Sequence, residues 1–535
     1  MHAYTSGRWI YNEPLRIAER YLKFDVPALK SAIAASSGQS PSDVTSFVKL
    51  AEGGFNRVFE ATLNDGRRVL ARLPYPSTVP KHHGTASEVA TMEFLRLHNI
   101  PVPRVHGWSS TAENAVGAEY IVMEKIEGVA LSEIWPDLGL KQRAQIIKQV
   151  VHLEKRLFSL QLPASGSIYF PDDLTPDERS KAAMLPVQGE KKFCVGPTAH
   201  YSWWHGQRSS MAFNRGPWTS SPEVFRDVGK RELAWTKIFA KPRLHYDLLY
   251  REIHGFKKMS PEPHIEGLKK YLEMSKCLGY PVESYLSRPV LRHPDLSMNN
   301  IRVSESLDVV GLIDWQHASI LPLCLVAGIP SDFQNYGDPE SERMTRPATD
   351  LPAEYESVDT IQQARMKIQH ARKWTHFFYA GLTMRDHEEH FNAISTKGVT
   401  LHQRLYKSAG TPWEGDSITL QGDMINAIQQ WQQIVSSGAI AAQNCPNPPI
   451  SYSDDETRSI MDLHQQQLDM DTMIEEMRDA LGVDVMGWVP SDERWQASKA
   501  LAQSIKSQMM AAVENDAERD GIRDHFPFDN HSEDE

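Results

Sequence analysis

Two aspartates and an asparagine carry the clearest chemical signal in the chain. Asp295 and Asn300 stand in His293-Pro294-Asp295-Leu296-Ser297-Met298-Asn299-Asn300, and Asp314 stands in Val309-Val310-Gly311-Leu312-Ile313-Asp314-Trp315-Gln316. Between them lie Ile301-Arg302-Val303 and a polar turn from Ser304 to Asp308, so two short apolar strands should pair as a hairpin. One acid-and-amide loop enters that hairpin and a second acid leaves it. Three oxygen donors then converge at one end of a two-stranded ribbon. Mg²⁺ takes hard oxygen ligands and shares its shell with substrate phosphates. Phosphoryl transfer needs such ligands together with a carboxylate that orients or deprotonates the attacking hydroxyl. Asn300 and Asp314 are the metal candidates, and Asp295 is the catalytic one. Asx residues also cap turns, which would explain any one of these three alone but not the ordered set.

Upstream elements must position this loop. Phe47 to Leu50 reads as a strand, followed by the turn Gly53-Gly54-Phe55-Asn56 and a second strand, Val58 to Leu63. Asn64-Asp65-Gly66 is a hairpin turn, and Arg67 to Leu73 is a third strand. Glycines at the first turn let backbone close over nucleotide phosphates, so Gly53, Gly54, Phe55 and Asn56 are candidate phosphate-side residues. Arg72 is the cation of the third strand. From Ala86 to His98, Val89, Met92 and Leu95 recur at helical spacing, with Glu88 one turn before Met92. A carboxylate beside a buried face needs a cation, and Arg72 is the natural partner. Glu119 to Glu124 reads as a buried strand.

The H-x-D-x4-N pattern, with a hydrophobic strand ending in Asp, is the catalytic-loop signature of protein-kinase-like folds. The chain has neither D-F-G nor A-P-E but Ile313-Asp314-Trp315, and in this it resembles the aminoglycoside phosphotransferase and choline kinase group. Tyr4-Thr5-Ser6-Gly7-Arg8-Trp9, Gly53 to Phe59, Ala71-Arg72-Leu73-Pro74, Ser87 to Met92, Arg215-Gly216-Pro217-Trp218 and Ile313 to His317 extend the likeness to that family's altered-inheritance-of-mitochondria subgroup. The resemblance implies an α+β, bilobal protein-kinase-like fold with a small β-rich N-lobe and a large, mainly helical C-lobe. It implies ATP and Mg²⁺, a hinge at Met123, Glu124, Lys125 and Ile126 whose backbone holds adenine, and a mitochondrial location for some relatives. Arg72 stands where many kinase-like folds carry Lys, a feature of this subgroup; its wider fork bears on nucleotide geometry and rate.

Expected boundaries are an N-terminal extension (1–40) packed on the N-lobe (41–127), a C-lobe (128–513) and an acidic, frayed tail (514–535). The extension should hold short helices over Glu13 to Phe24 and Val26 to Ala35. Within the C-lobe, apolar residues from Ile146 to Leu160 mark a helix, and residues 161–285 form an aromatic-rich insert. His200, His205, Arg208 and Arg215 of that insert would belong either to a substrate-facing cap or to an additional core. Helices are expected over Ile361 to Leu382, Asp423 to Val435, Glu456 to Leu481 and Trp495 to Val513.

A net charge of −12 lacks the basic footprint of a nucleic-acid binder. Ala318 to Ile329 is uncharged but too short to span a membrane. Cys194, Cys277, Cys324 and Cys445 are scattered and read as thiols, neither a zinc site nor a disulfide framework. Acids interleave the basic residues near the N-terminus, unlike an organelle presequence, so the chain as it stands reads as intracellular and cytoplasmic. The function expected is transfer of the ATP γ-phosphate to a hydroxyl of a small molecule. The alternative is a nucleotide-binding scaffold with little catalysis; a His/Asp metal hydrolase around His293, Asp295 and His317 is the weakest reading. The acceptor itself is not legible in the sequence.

Overall fold

The computed structural model describes every residue except Gln188, Glu190, Asp534 and Glu535. Alternation along the Arg68–Pro74 strand decides how the N-terminal half is layered. Val69, Ala71 and Leu73 point to one face of a five-stranded antiparallel sheet and are buried; Leu70 and Arg72 point to the other. The strand order is Val44–Glu52, Asn56–Leu63, Arg68–Pro74, Tyr120–Glu124, Val105–Ser109. On the first face, Val69, Ala71 and Leu73 join Phe59, Ala61, Leu29 and Ile33 in one apolar cluster. Leu29 and Ile33 come from the helix Val26–Ser36, which starts where Asp25 accepts the Ala28 N–H at 2.7 Å. The extension therefore covers the outer face of the sheet. Its first helix is shorter than the sequence predicts, Glu13–Glu19.

The other face turns to the C-lobe. The helix His83–Leu97 is buried along most of its length, and its Val89, Met92 and Leu95 belong to the large core that also holds Ile146, Val150 and Leu157 of the helix Leu140–Phe158. The sheet is thus shared between two cores: its outer face has its own, while Ile121 and Met123 on the inner side join the helix carrying Glu88 in the larger one.

The hairpin of Ile301–Val303 and Val309–Leu312 is antiparallel, with Ile301 opposite Leu312, and Val129–Ala130 adds a third strand. C-terminal helices run over Thr360–Asp386, Ile418–Gln429, Trp431–Ser436, Asp454–Leu481 and Asp492–Ala512, close to the sequence expectations. Glu388–Ser395 and Lys397–Gly410 are further helices there. The aromatic insert is mostly interior: Phe193, Trp203, Trp218 and Phe225 lie in the large core, braced by the helices Ser221–Phe239 and Glu262–Ser275. Among the described residues no helix is long and apolar enough to cross a membrane.

Two expectations are corrected. Cys277 and Cys445 form a disulfide across 168 positions, with Cα atoms 6.0 Å apart; Cys194 and Cys324 are free and buried. Tertiary packing makes the pair, since Trp431 donates to the Cys445 carbonyl at 2.9 Å and draws that loop inward. The tail is not frayed either. Asp516–His525 is helical, and Phe526 and Phe528 are buried against Ile10, Met477, Leu481, Val489 and Ala502. Its large apolar residues Ile522, Phe526 and Phe528 are all buried, so low average hydrophobicity concealed a packed segment. The same cluster receives the N-terminus, where Arg8–Trp9 pairs with Trp488–Val489.

Truncating Phe528 to alanine removes a large side chain from this small cluster. The expected loss is about 3 kcal/mol of stability, read as a lower midpoint in urea unfolding; an unchanged midpoint would mean that the tail does not dock in solution.

Candidate active site

His293 shapes the loop that bears Asp295. Its buried ring donates from Nε2 to the Ile313 carbonyl at 2.9 Å and accepts the Asp295 N–H at Nδ1 at 3.2 Å. Trp315 closes over it edge-on, with centroids 4.5 Å apart. One ring thereby ties the loop entrance to the strand that delivers Asp314. Burial pushes the imidazole down from 6.5 to about 4, so it stays neutral near physiological pH. The Asn300 amide nitrogen donates to the Asp295 carbonyl at 2.9 Å and to its Oδ2 at 3.0 Å, and the Ser297 hydroxyl adds a contact at 3.3 Å. The Ile313 N–H donates to the Asn300 carbonyl at 3.0 Å. Asp295, Asn300 and Asp314 therefore share one rim of the hairpin. Asp314 has φ of 66°, a left-handed conformation that non-glycine residues adopt at some strain.

Asp295 is exposed at the surface, yet the protein packed around its loop, and then the charges of Asp314 and Asp332, raise its carboxyl above the ordinary 3.8. Hydrogen bonds from Ser297 and Asn300 act in the opposite sense.

Arg72 crosses between the lobes. It sits opposite Val58 and Ile121 in the sheet, and it is ion-paired to Glu88 on one side and to Asp314 Oδ1, at 3.0 Å, on the other. Glu88 is 2% exposed and Arg72 6%. Burial weakens the hold of Arg72 on its proton, and the Asp314 carboxylate opposes that. Removing one partner of such a buried pair costs about 3–5 kcal/mol, because the other charge is stranded. A second bridge joins Asn56 Nδ2 to Gln316 Oε1 at 2.6 Å, fully buried.

Between the lobes is a cavity of about 510 Å³, in the size range of small-ligand sites. Gly53, Gly54, Phe55 and Asn56 line it from the turn; Arg72 and Glu88 from strand and helix; Met123 to Ile126 from the hinge; Asn300 and Asp314 from the hairpin. Asp295 does not line it but borders it through Asn300. At the hinge, the Glu124 N–H donates to the Arg104 carbonyl at 2.8 Å, and Lys125 is ion-paired to Glu60. The sheet strand ends at Glu124, so the backbone of Lys125 and Ile126 lies beyond the last ladder pair. At the opposite rim, Phe55 meets His317 edge-on at 5.1 Å and reaches Tyr201 at 6.4 Å.

Among known proteins, the subtelomeric hrmA-associated cluster protein of Aspergillus fumigatus is 31% identical over 499 residues, 87% of this chain and 93% of that protein. The description "Phosphotransferase enzyme family" matches residues 46–191, from the sheet through the hinge and beyond. The chain belongs to the phosphotransferase enzyme family. Another relative is "Altered inheritance of mitochondria protein 9, mitochondrial" of Yarrowia lipolytica, 24% identical over 81% of this chain and 76% of that one. A crystal structure of a putative aminoglycoside phosphotransferase from Ralstonia eutropha is 11% identical over 89% of this chain and 99% of that one, with a TM-score of 0.33. The α+β, two-lobed, protein-kinase-like arrangement of this phosphotransferase family member consists of the five-stranded sheet with its buried helix and the mostly helical remainder.

Several features of the family site escape sequence reading. Leu50, Val58, Leu70, Met92 and Ile313 give the cavity apolar walls, and Glu133 and Arg302 reach its edge. The period-two pattern around Val58 and Leu70 held a signal for the walls; nothing local pointed to Asn56 and Gln316 as partners. In the insert, Arg208 is ion-paired to Glu232 at 2.5 Å in the core, and Arg215 lies over the Trp204 ring at 4.0 Å. His200 is enclosed and held to about 4 by burial, then by His317 and Arg231. His205 is exposed.

The His293 shift has a measurable sign. The unfolded chain takes up a proton near pH 6.5, whereas the folded ring resists until about 4. Its contribution is therefore complete above pH 6.5 and is lost as pH falls from 6.5 toward 4. Urea midpoints should drop across that window, and His293→Gln should flatten the slope by about one proton; an identical slope in the variant would refute a neutral buried ring.

Proposed function

We propose that the protein transfers the γ-phosphate of ATP to a hydroxyl of a small molecule, with Mg²⁺ as the metal. The observation that carries this reading is the convergence of Asn300, Asp314 and Arg72 on one interlobe cavity, with Asp295 at its border. Gly54 adds support: a Cβ there would meet no protein atom within 4 Å, and its φ is not left-handed, so nothing in the fold demands glycine. Close approach by a ligand explains it instead.

In this reading the apolar walls enclose the base, and the Lys125 and Ile126 backbone meets its edge. Arg72, held by Glu88, presents fixed positive charge to the phosphates. Asp314 keeps Oδ1 on Arg72, which leaves Oδ2 for a cation; Asn300 turns its amide nitrogen to Asp295, which leaves Oδ1. One carboxylate and one amide oxygen suit Mg²⁺, which completes its shell with phosphate and water. When bound, it would neutralise charge on the β- and γ-phosphates. Asp295 accepts the hydroxyl proton, the freed oxygen bonds to the γ-phosphorus, and the bond from that phosphorus to the β–γ bridging oxygen breaks, releasing ADP. The raised proton affinity of Asp295 favours this role.

One observation favours the second reading, a nucleotide-binding scaffold. Arg72 bonded to Asp314 draws on a carboxylate that a metal also needs. The mitochondrial designation of relatives such as the Yarrowia lipolytica protein supports a mitochondrial setting for either reading.

Asp295→Asn should lower γ-phosphate transfer by about 10²–10⁴-fold and leave Mg-ATP affinity within about twofold, whereas Asp314→Asn should weaken Mg-ATP binding itself. A metabolite-wide phosphorylation screen with thermal-shift titration reads both. Stabilisation by Mg-ATP without consumption of γ-phosphate in the wild type would replace the kinase reading with the scaffold.

A further inference from the structure

A second cavity, of about 560 Å³, lies beneath the same loop. Met298 lines it, while Asn300, two residues on, lines the nucleotide-sized cavity. Its other walls come from Trp135 and Arg143, from Asp332 and Gln334 to Tyr336, and from Lys367 and Arg372 of the long helix Thr360–Asp386. Asp332 also holds the Met298 backbone, three residues beyond Asp295, which sets this cavity against the loop that bears the catalytic candidate.

The charge in this cavity runs against that of the whole protein. The chain carries −12, yet the lining holds three cations, Arg143, Lys367 and Arg372, and one carboxylate, Asp332. That carboxylate is already committed, since Asp332 Oδ2 accepts the Met298 N–H at 2.7 Å. Arg143 is the informative residue. It is 7% exposed and packs 5.1 Å from the Trp135 ring; its Nη2 donates to the carbonyls of Trp135 and Pro136, at 3.0 and 3.3 Å. Its Nε is buried with no hydrogen-bond partner, and among the described residues no carboxylate lies within 4.0 Å of it. Burying a guanidinium without a counter-charge is unfavourable, and burial indeed weakens its hold on the proton. A fold that keeps such a group beside a phosphoryl-transfer loop has a use for it when an anion arrives.

We propose that this second cavity is the acceptor subsite and that the acceptor is a small anionic alcohol, its acidic group held by Arg143 with Lys367 and Arg372 while its hydroxyl faces Asp295. Carboxylates and phosphates share the geometry that a guanidinium fork recognises. The chemical class is thus a hydroxy acid or a phosphorylated polyol, and polycationic amino sugars are disfavoured. The inference rests on the kinase reading for what happens to the hydroxyl, but anion binding stands apart from catalysis.

Calorimetric titration of the 535-residue chain without nucleotide tests it, using D-glycerate, glycerol 3-phosphate, glycerol and glucosamine as probes. At least one of the two anions should bind, with glycerol and glucosamine at least tenfold weaker, and the preferred anion distinguishes carboxylate from phosphate. Arg143→Met should weaken that anion at least tenfold. Because Arg143 is buried, the exposed pair Lys367→Gln with Arg372→Gln provides a second variant expected to act in the same direction. Absence of binding by both anions, glucosamine binding as tightly as either, or anion affinity unchanged in both variants would overturn the proposal. An anion that binds in a protein unable to consume ATP would retire the kinase reading alone; ATP consumption with an uncharged acceptor and no anion binding would retire the subsite alone.

Discussion

A buried guanidinium needs its charge answered from close by, and Arg72 is answered from two directions. Glu88 comes from a helix rooted in the large C-lobe core, and Asp314 comes from the end of the Ile301–Leu312 hairpin. The strand bearing Arg72 belongs to a sheet whose outer face has an apolar core of its own. Charge pairing therefore joins the sheet, the helix and the hairpin at one point, beside the buried amide bridge of Asn56 and Gln316. Apolar burial stabilises each lobe without specifying their mutual register, since it is non-directional. Hydrogen-bonded charges do specify it. The cleft takes its shape from that requirement, and the walls of the cavity follow.

The same requirement explains why part of the site was legible in the sequence. The donors of the candidate catalytic loop are local: His293, Asp295 and Asn300 lie within one turn and its approach, and Asp314 follows after a hairpin that alternation and turn residues announce. Glu88 was recoverable because it has the wrong polarity beside the buried stripe of its helix, and Arg72 because that carboxylate needs a cation and the third strand carries one. Contacts whose partners share no local pattern were not recoverable. Asn56 meets Gln316 across 260 positions, and Cys277 meets Cys445 across 168. The C-terminal segment misled for a different reason. A stretch with few apolar residues reads as unable to fold, yet Phe526 and Phe528 are buried in one cluster and Ile522 is buried beside them in sequence.

Net charge was similarly uninformative about the site. A chain at −12 places Arg72 where phosphates would meet the N-lobe and three cations beneath the loop. Electrostatics over a few ångströms in a sheltered cleft outweighs the mean charge of a 535-residue surface, which salt screens. Asp295 lies on the loop between these two cavities, where burial, and then Asp314 and Asp332, raise its affinity for a proton.

The central claim is that Asn300 and Asp314 hold a divalent ion against the phosphates of a nucleotide in the interlobe cavity. Phosphorus magnetic resonance of protein-bound ATP, titrated with paramagnetic Mn²⁺ in place of Mg²⁺, tests it most directly. The account requires the β- and γ-phosphorus signals of the bound nucleotide to broaden at substoichiometric Mn²⁺, and that broadening to disappear in Asp314→Asn. Bound ATP whose phosphorus signals stay sharp, or broadening indifferent to Asp314, would contradict it.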